Sequence, residues 1–477
     1  MPTPVKQALA AKSRTSISPS DSGKASAPSG GWGWPVLTLV TVVVIAVTVL
    51  SYPFHPKLEL SNTGLWEKIL LATSKEESID AKDYLGRAKR ILQNSPLIDG
   101  HNDFPFLLRQ QLHGEIYGHD FEAETLASHT DLWKMRDGMM GGQFWSVYVP
   151  CPEDLVPGVD LDDPNKRVPD LNEPNWAVRD TLEQIDLTKR LVARYPAFLE
   201  FCTNPSCVRR AHKQGRIASM IGIEGGHQLG NSLGALRLFF ETGARYVTLT
   251  HNCDNAFGTS WISVNQTAGT DSGLTKFGHS FVREMNRLGM MVDLAHVSPN
   301  TMRHVLRVAK APVIFSHSGS YSMQKHLRNV PDDVLKVLVP NGGIVMVPAI
   351  SFFMNTNHPE DATVEDVVDH ILWIAHVAGW EHVGLGSDFD GSTSVVHGLE
   401  DTSQWPKLIA RLLARGNVTD QQAQLLVGEN LLRVWDDIER VARLSQQGAQ
   451  LPCEESWEDR VWEVENQDVP RLFPKEG

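Results

Sequence analysis

The five cysteines, Cys151, Cys202, Cys207, Cys253 and Cys453, include no CxxC pair, which excludes a thiolate zinc finger. Their odd number leaves at least one thiol free or paired between chains. No run of lysine and arginine occurs in a chain of net charge −13, so nucleic acid is excluded as a partner. No internal repeat is visible, which sets aside a repeat array. What remains is ordinary globular composition, 42% hydrophobic and 21% charged, over 477 residues. That is chain enough for one large α/β barrel.

The amino terminus departs from that composition. Residues 36–50 read VLTLVTVVVIAVTVL without a charge, between Trp32 and Trp34 on one side and Tyr52 and Phe54 on the other. Edge aromatics suit the two membrane interfaces, although the strictly apolar run is shorter than the about 20 residues a bilayer needs. Lys6, Lys12, Arg14 and Lys24 precede it, opposed by Asp21 alone, so the positive-inside rule keeps the N-terminus in the cytosol. A long polar leader and no A-x-A-like site favour an uncleaved anchor over a signal peptide. The expectation is a single-pass type II membrane protein. It has a disordered cytosolic tail at 1–34, a transmembrane signal anchor at 35–54, a stalk at 55–87, a barrel at 88–445 and an acidic tail at 446–477. The barrel would be extracellular or lumenal, where disulfides form and the sequons at Asn265 and Asn417 can carry glycans.

Within the body, short apolar runs alternate with amphipathic stretches. The candidate strands lie at 97–103, 143–149, 217–225, 245–251, 290–296, 312–317, 343–349 and 382–388. Eight such strands, near-continuously apolar, fit a TIM-like (β/α)₈ barrel with helices on its outer face. Helix signals separate them: Ser298 caps a helix opening on Pro299, and Thr363 with Asp366 forms a capping box. The stretch 151–180, rich in Pro and Asp, is a long excursion from the barrel.

Nearly every candidate strand ends in a metal-grade or charged side chain. His101 and Asp103 end the first, Glu224 the third, His251 the fourth, His296 the fifth, His317 the sixth and Asp388 the eighth. In such a barrel the C-terminal strand ends form the active face, so these residues converge on one mouth. Imidazole and carboxylate both suit zinc. His101-x-Asp103 places two ligands on one side of a strand, because the side-chain period is two. Glu224 is placed to bridge, with two glycines after it. Two metals about 4 Å apart can hold a bridging hydroxide and polarise a scissile carbonyl. Asp388 can move the proton to the leaving amine. Asp390 is the alternative, but Asp388 directly ends the apolar run.

At these residues the chain resembles the membrane dipeptidase family, also called renal dipeptidase, of the amidohydrolase superfamily. The motifs are IDGHND (98–103), GGQFWSVYVPC (141–151), IGIEGGH (221–227), RYVTLTHNC (245–253), RLGMMVDLAHVS (287–298), APVIFSHS (311–318), RNVPDD (328–333) and GSDFDG (386–391). The resemblance implies two zinc ions per chain, one held by His101, Asp103 and Glu224, the other by Glu224, His296 and His317. It implies that His251 stabilises the oxyanion, that Arg328 binds the substrate's C-terminal carboxylate and that Asp388 is the proton shuttle. The implied substrate is a free dipeptide, with a D-residue tolerated at its C-terminal position. A Cys151–Cys253 disulfide is implied too, and homodimerisation is a family expectation that no residue here carries by itself. Gln324 stands where a second family disulfide would be, and Cys202 and Cys207 are left to pair across NPS or stay free. Two rival readings are another binuclear zinc amidohydrolase, whose relatives bridge with a carboxylated lysine, and a catalytically dead membrane receptor.

Overall fold

Among the described residues one parallel sheet carries the body. Its strands are β1 Leu97–Asn102, β2 Met140–Tyr148, β3 Leu199–Phe201, β4 Ile217–Glu224, β5 Ala244–Thr248, β6 Met291–Asp293, β7 Ile314–Phe315, β8 Ile344–Val347 and β9 Val383–Leu385. Their order is β2–β1–β9–β8–β7–β6–β5–β4, and β4 also pairs with β2, so eight strands close into a barrel. All eight expected strands are present. The short β3 was not expected. It pairs with the start of β4, Leu199 opposite Ile217, and leaves the rest of that edge to β5, Glu224 opposite Thr248.

The computed structural model describes residues 83–122, 126–152, 176–266, 270–415, 417–458 and 460. The segments read from the sequence as a cytosolic tail, a membrane anchor and a stalk up to 82, with much of the 151–180 excursion, the side chain of Asn265 and the end of the acidic tail, lie outside them. Among the described residues no helix is long and apolar enough to cross a membrane. The helix Tyr84–Asn94 begins inside the segment read as stalk.

Strand side chains alternate between two apolar layers, as a period of two requires. Ile98, Phe144, Met220, Tyr246, Ile314, Ile344 and Met346 belong to one buried cluster. Leu97, Trp145, Val147, Ile221, Ile223 and Val345 belong to the other, which includes buried residues of the surrounding helices. The final helix, Asn430–Gln447, packs Trp435 against Phe144 with ring centroids 5.6 Å apart. Its Asn430 amide bonds the carbonyl of Val383, the first residue of β9, so this helix covers the N-terminal end of the barrel.

The expected helix signals are realised. Ser298 Oγ accepts from Thr301 N at 3.1 Å ahead of the helix Pro299–Val308. Thr363 N donates to Asp366 Oδ2 at 2.7 Å, closing the capping box of Val364–Ala378. Cys151 and Cys253 are joined, tying the exit of β2 to the loop after β5, and Cys202 pairs with Cys207. Cys453 is the free thiol among the described residues, and it is buried.

Candidate metal centre and active site

Glu224 ends β4 in register with Ala218, Met220 and Gly222, the row that faces the interior. Its Oε1 is faced by four imidazole nitrogens: Nε2 of His296 at 3.1 Å, of His317 at 3.4 Å, of His101 at 3.5 Å and of His251 at 3.8 Å. His101 Nε2 lies 3.3 Å from Asp103 Oδ2 and 4.0 Å from Asp388 Oδ1. The Nε2 atoms of His296 and His317 are 3.1 Å apart. The strand ends thus bring together every ligand residue the sequence nominated, and all are buried.

Hydrogen-bond partners assign the tautomers. His296 Nδ1 donates to Asn252 Oδ1 at 3.1 Å, an oxygen that Trp261 Nε1 also bonds at 2.9 Å. Ser316 Oγ gives its proton to Asp293 Oδ2 at 2.6 Å, so it accepts from His317 Nδ1 at 2.8 Å. Tyr246 OH donates to Gly100 O at 3.3 Å and accepts from His101 Nδ1 at 2.8 Å. Each ring therefore turns an Nε2 lone pair toward a carboxylate oxygen, which is repulsive unless a cation stands between. His101 Nε2 and Asp103 Oδ1 are buried without hydrogen-bond partners among the described residues. Asp103, His101 and Glu224 form one ligand group and Glu224, His296 and His317 another, so the donor set fits a pair of metal ions sharing Glu224.

The charge balance points the same way. Burial, then Arg328 and His251, hold His296 well below the ordinary imidazole range, and burial and His101 do the same to His317. His251 is pushed down to about 4, by burial first, against the pull of Glu224. His101 alone moves up: burial opposes its charge, but Tyr246, Glu224 and Asp103 favour it. Burial raises the Asp388 carboxyl well above its usual range, with Asp103 and Glu224 adding to the shift against His101 and Arg328. The carboxylates call for positive charge beside His251, His296 and His317, whose rings stay neutral.

The cluster opens on a cavity of about 370 Å³ lined by Asp103, Glu224, His251, His296, Arg328 and Asp388, with Phe106, Tyr148, Ile350, Phe352 and Phe353 as apolar walls. Arg328 is 1% exposed, and its Nε, Nη1 and Nη2 all lack hydrogen-bond partners among the described residues. Its guanidinium sits 4.9 Å from the centre of the Phe353 ring. A buried cation with no partner, facing a cavity, is a site for an anion.

The backbone is special at the same place. His296 and Asp388 both have φ 62°, in the left-handed region. At Gly391 a Cβ would stand 2.4 Å from both Asp103 Oδ2 and Asp388 Oδ1, so only glycine lets the chain pass these carboxylates. Gly225 has φ +117°, and a Cβ there would meet the His227 ring at 2.5 Å; this glycine serves the turn behind Glu224. Asp390 is turned away from the cavity and is held by Ser128 and His129. Sequence reasoning missed the residues that orient the ligands, Tyr246, Asn252, Ser316 and Asp293, although the motifs around His251, His296 and His317 contain them. It missed Tyr148 too, whose ring lies 4.6 Å from that of His251. Asn417 is exposed, with φ 57°.

Comparison with known proteins agrees with this geometry. The family model described as membrane dipeptidase, Peptidase family M19, matches residues 85–449. An uncharacterized dipeptidase of Schizosaccharomyces pombe is 47% identical over 394 residues, covering 81% of this chain and 91% of the relative. The dipeptidase verJ of Clonostachys rogersoniana is 42% identical over 389 residues, covering 82% and 96%. Among solved structures, the metallo peptidase dipeptidase AC of family M19 is 25% identical with a TM-score of 0.61, covering 72% of this chain and 98% of its own. A metallo peptidase of Rhodobacter sphaeroides, solved with a phosphinate mimic of the dipeptide L-Ala-D-Ala, shares the fold at 24% identity and a TM-score of 0.60, covering 72% and 99%. With its buried cluster of imidazoles and carboxylates at the mouth of the barrel, this chain belongs to the membrane dipeptidase family, Peptidase family M19, and is a metallo-dipeptidase.

Proposed function

We propose that the enzyme uses two zinc ions, cleaves free dipeptides by reading their C-terminal carboxylate with Arg328, and accepts a D-residue at that end. The observation that carries this reading is the buried, unpartnered Arg328 guanidinium in the same cavity as the Glu224 cluster. His101, Asp103 and Glu224 would hold one ion and Glu224, His296 and His317 the other. When bound, such a pair lowers the pKa of water and polarises a carbonyl.

The remaining work falls to the protein. Arg328 would take the carboxylate through two parallel hydrogen bonds, with Phe353 fixing the plane of the fork. Fixing the carboxylate at Arg328 would select the bond one residue from a free C-terminus, and restriction to dipeptides would follow from bounding the amino end within the same cavity as well. Neutral His251 would donate to the developing oxyanion. Asp388, with its Oδ1 4.0 Å from His101 Nε2 and its side chain on the cavity, would take the proton of the attacking water and give it to the leaving amine. A cavity of about 370 Å³ suits a molecule of dipeptide size. The Rhodobacter sphaeroides complex with an L-Ala-D-Ala mimic supports tolerance of the D-residue.

Screening the enzyme against a dipeptide library that includes L-D pairs, with zinc and after chelation, tests this. Cleavage of free dipeptides of both kinds, lost on chelation and restored by zinc, is expected. Equal cleavage of dipeptides and their C-terminal amides would overturn the reading. We further propose that the charge-free run at 36–50 anchors the chain with its catalytic body outside the cytosol, a placement that suits both disulfides. Deleting residues 1–55 behind a cleavable signal should then give soluble, active enzyme. Secretion of the full-length protein cut near residue 52 would contradict the anchor.

A further inference from the structure

The Asp390 side chain is withdrawn from solvent, lies two residues past the proposed proton carrier, and takes no part in the chemistry described above. Its carboxylate accepts from Ser128 Oγ at 2.9 and 3.0 Å and from His129 N at 2.7 Å, and its own N–H donates to His129 Nδ1 at 3.0 Å. The loop it grips reaches a second element of the site. Thr130 Oγ1 accepts from Asn102 Nδ2 at 2.8 Å, and Asn102 stands between the ligands His101 and Asp103. The two strand exits are also bonded directly, Asp388 N to His101 O at 3.1 Å and Asp103 N to Phe389 O at 2.9 Å. Between them the buried Phe389 ring packs against His129 at 5.5 Å and Trp405 at 5.8 Å.

Asp388 and Asp390 have φ 62° and 65°, so the chain leaves β9 through two left-handed residues. Such a segment keeps one shape only when its surroundings over-determine it. The Asp390 bonds supply that determination from the side remote from the substrate. We propose that Asp390, with the Ser128–Thr130 loop, is a positioning residue that fixes the Asp388 carboxyl relative to the His101–Asp103 ligand pair. The inference rests on the reading of Asp388 as the proton carrier.

Kinetics of the zinc-saturated full-length enzyme test it. Asp390→Ala should lower kcat by about tenfold to a hundredfold with little change in KM, the usual size of effect when an outer partner of a metal site is lost. Ser128→Ala should fall between this and wild type. Asp390→Asn should recover most of kcat, because its amide oxygen still accepts from His129 N and its NH₂ can donate to Ser128 Oγ. A readout independent of turnover is zinc retention against a chelator, which Thr130→Val should weaken by releasing Asn102. Wild-type kcat in Asp390→Ala would overturn the proposal, as would a kcat loss that Asn does not rescue. If Asp388→Asn itself keeps full activity, the proton-carrier reading fails first.

Discussion

Glu224 and Glu284 are both carboxylates withdrawn from solvent in the same fold, and their surroundings are opposite. Glu284, on the helix Lys276–Leu288, has every lone pair direction answered. Oε1 accepts from Arg287 Nη2 at 2.7 Å and Arg237 Nη1 at 3.0 Å; Oε2 accepts from Arg287 Nε at 2.9 Å and Cys453 N at 3.0 Å. Burial works against its charge, yet the bonds from Arg287, Cys453 N and Arg237 hold it down to about 2. Glu224 instead faces imidazole lone pairs, and the guanidinium that shares its cavity is unpaired. One cluster is complete as folded and ties the chain after the last helix to the body. The other is complete only with ions and substrate, and it holds the groups with the strongest pKa perturbation, as active sites do.

The contrast separates the effects of mutation. Glu224→Ala should cost kcat/KM several kcal/mol of transition-state stabilisation, or about three decades. It should destabilise the metal-free protein less than Glu284→Ala does, as read by urea unfolding. The reverse ranking would make Glu224 structural. Glu284→Gln should cost about 3–5 kcal/mol of stability, because it leaves Arg237 and Arg287 without their buried partner. Its kcat/KM per folded molecule should stay at the wild-type value, and a loss of activity there would break the division between the two regions.

Arg328→Lys should lose about 1.5–3 kcal/mol, or one to two decades in kcat/KM, since an ammonium cannot reproduce the fork. Zinc content should be unchanged. The preference for a free dipeptide over its C-terminal amide should shrink with it, and an unchanged preference would assign the carboxylate to another group. The pairing of Glu284 also carries an effect of pH. The pKa of Glu284 is lowered on folding from 4.5 to about 2, so its stabilisation is present above the unfolded value and is lost as pH falls through about 2. The stability gap between wild type and Glu284→Gln should therefore close as pH falls from 5 to 2. A gap that is constant across that window would contradict the pairing.

The difference between the clusters also explains what the sequence could show. Ligands at strand ends are legible because an apolar run stopping at His101, Glu224, His296 or His317 marks both the strand and the mouth. Arg328 comes from a loop, and only the family motif points to it. Tyr246, Asn252, Ser316 and Asp293 are chemically ordinary residues whose role exists only once tertiary contacts are made. The three residues of β3 are too few to show a period. The choice of Asp388 over Asp390 rested on the end of an apolar run, yet β9 stops at Leu385 and both aspartates are left-handed, so no strand rule governs where they point. The Glu284 cluster left no trace in the sequence, because Arg237 and Cys453 reach it across 47 and 169 residues.

Zinc counted per chain tests the central claim most directly. Metal analysis of the purified active enzyme should find about two zinc ions, and Glu224→Ala should lose both to a chelator more readily than His317→Ala, because Glu224 serves each ligand group. One ion or none in fully active enzyme would contradict the shared site.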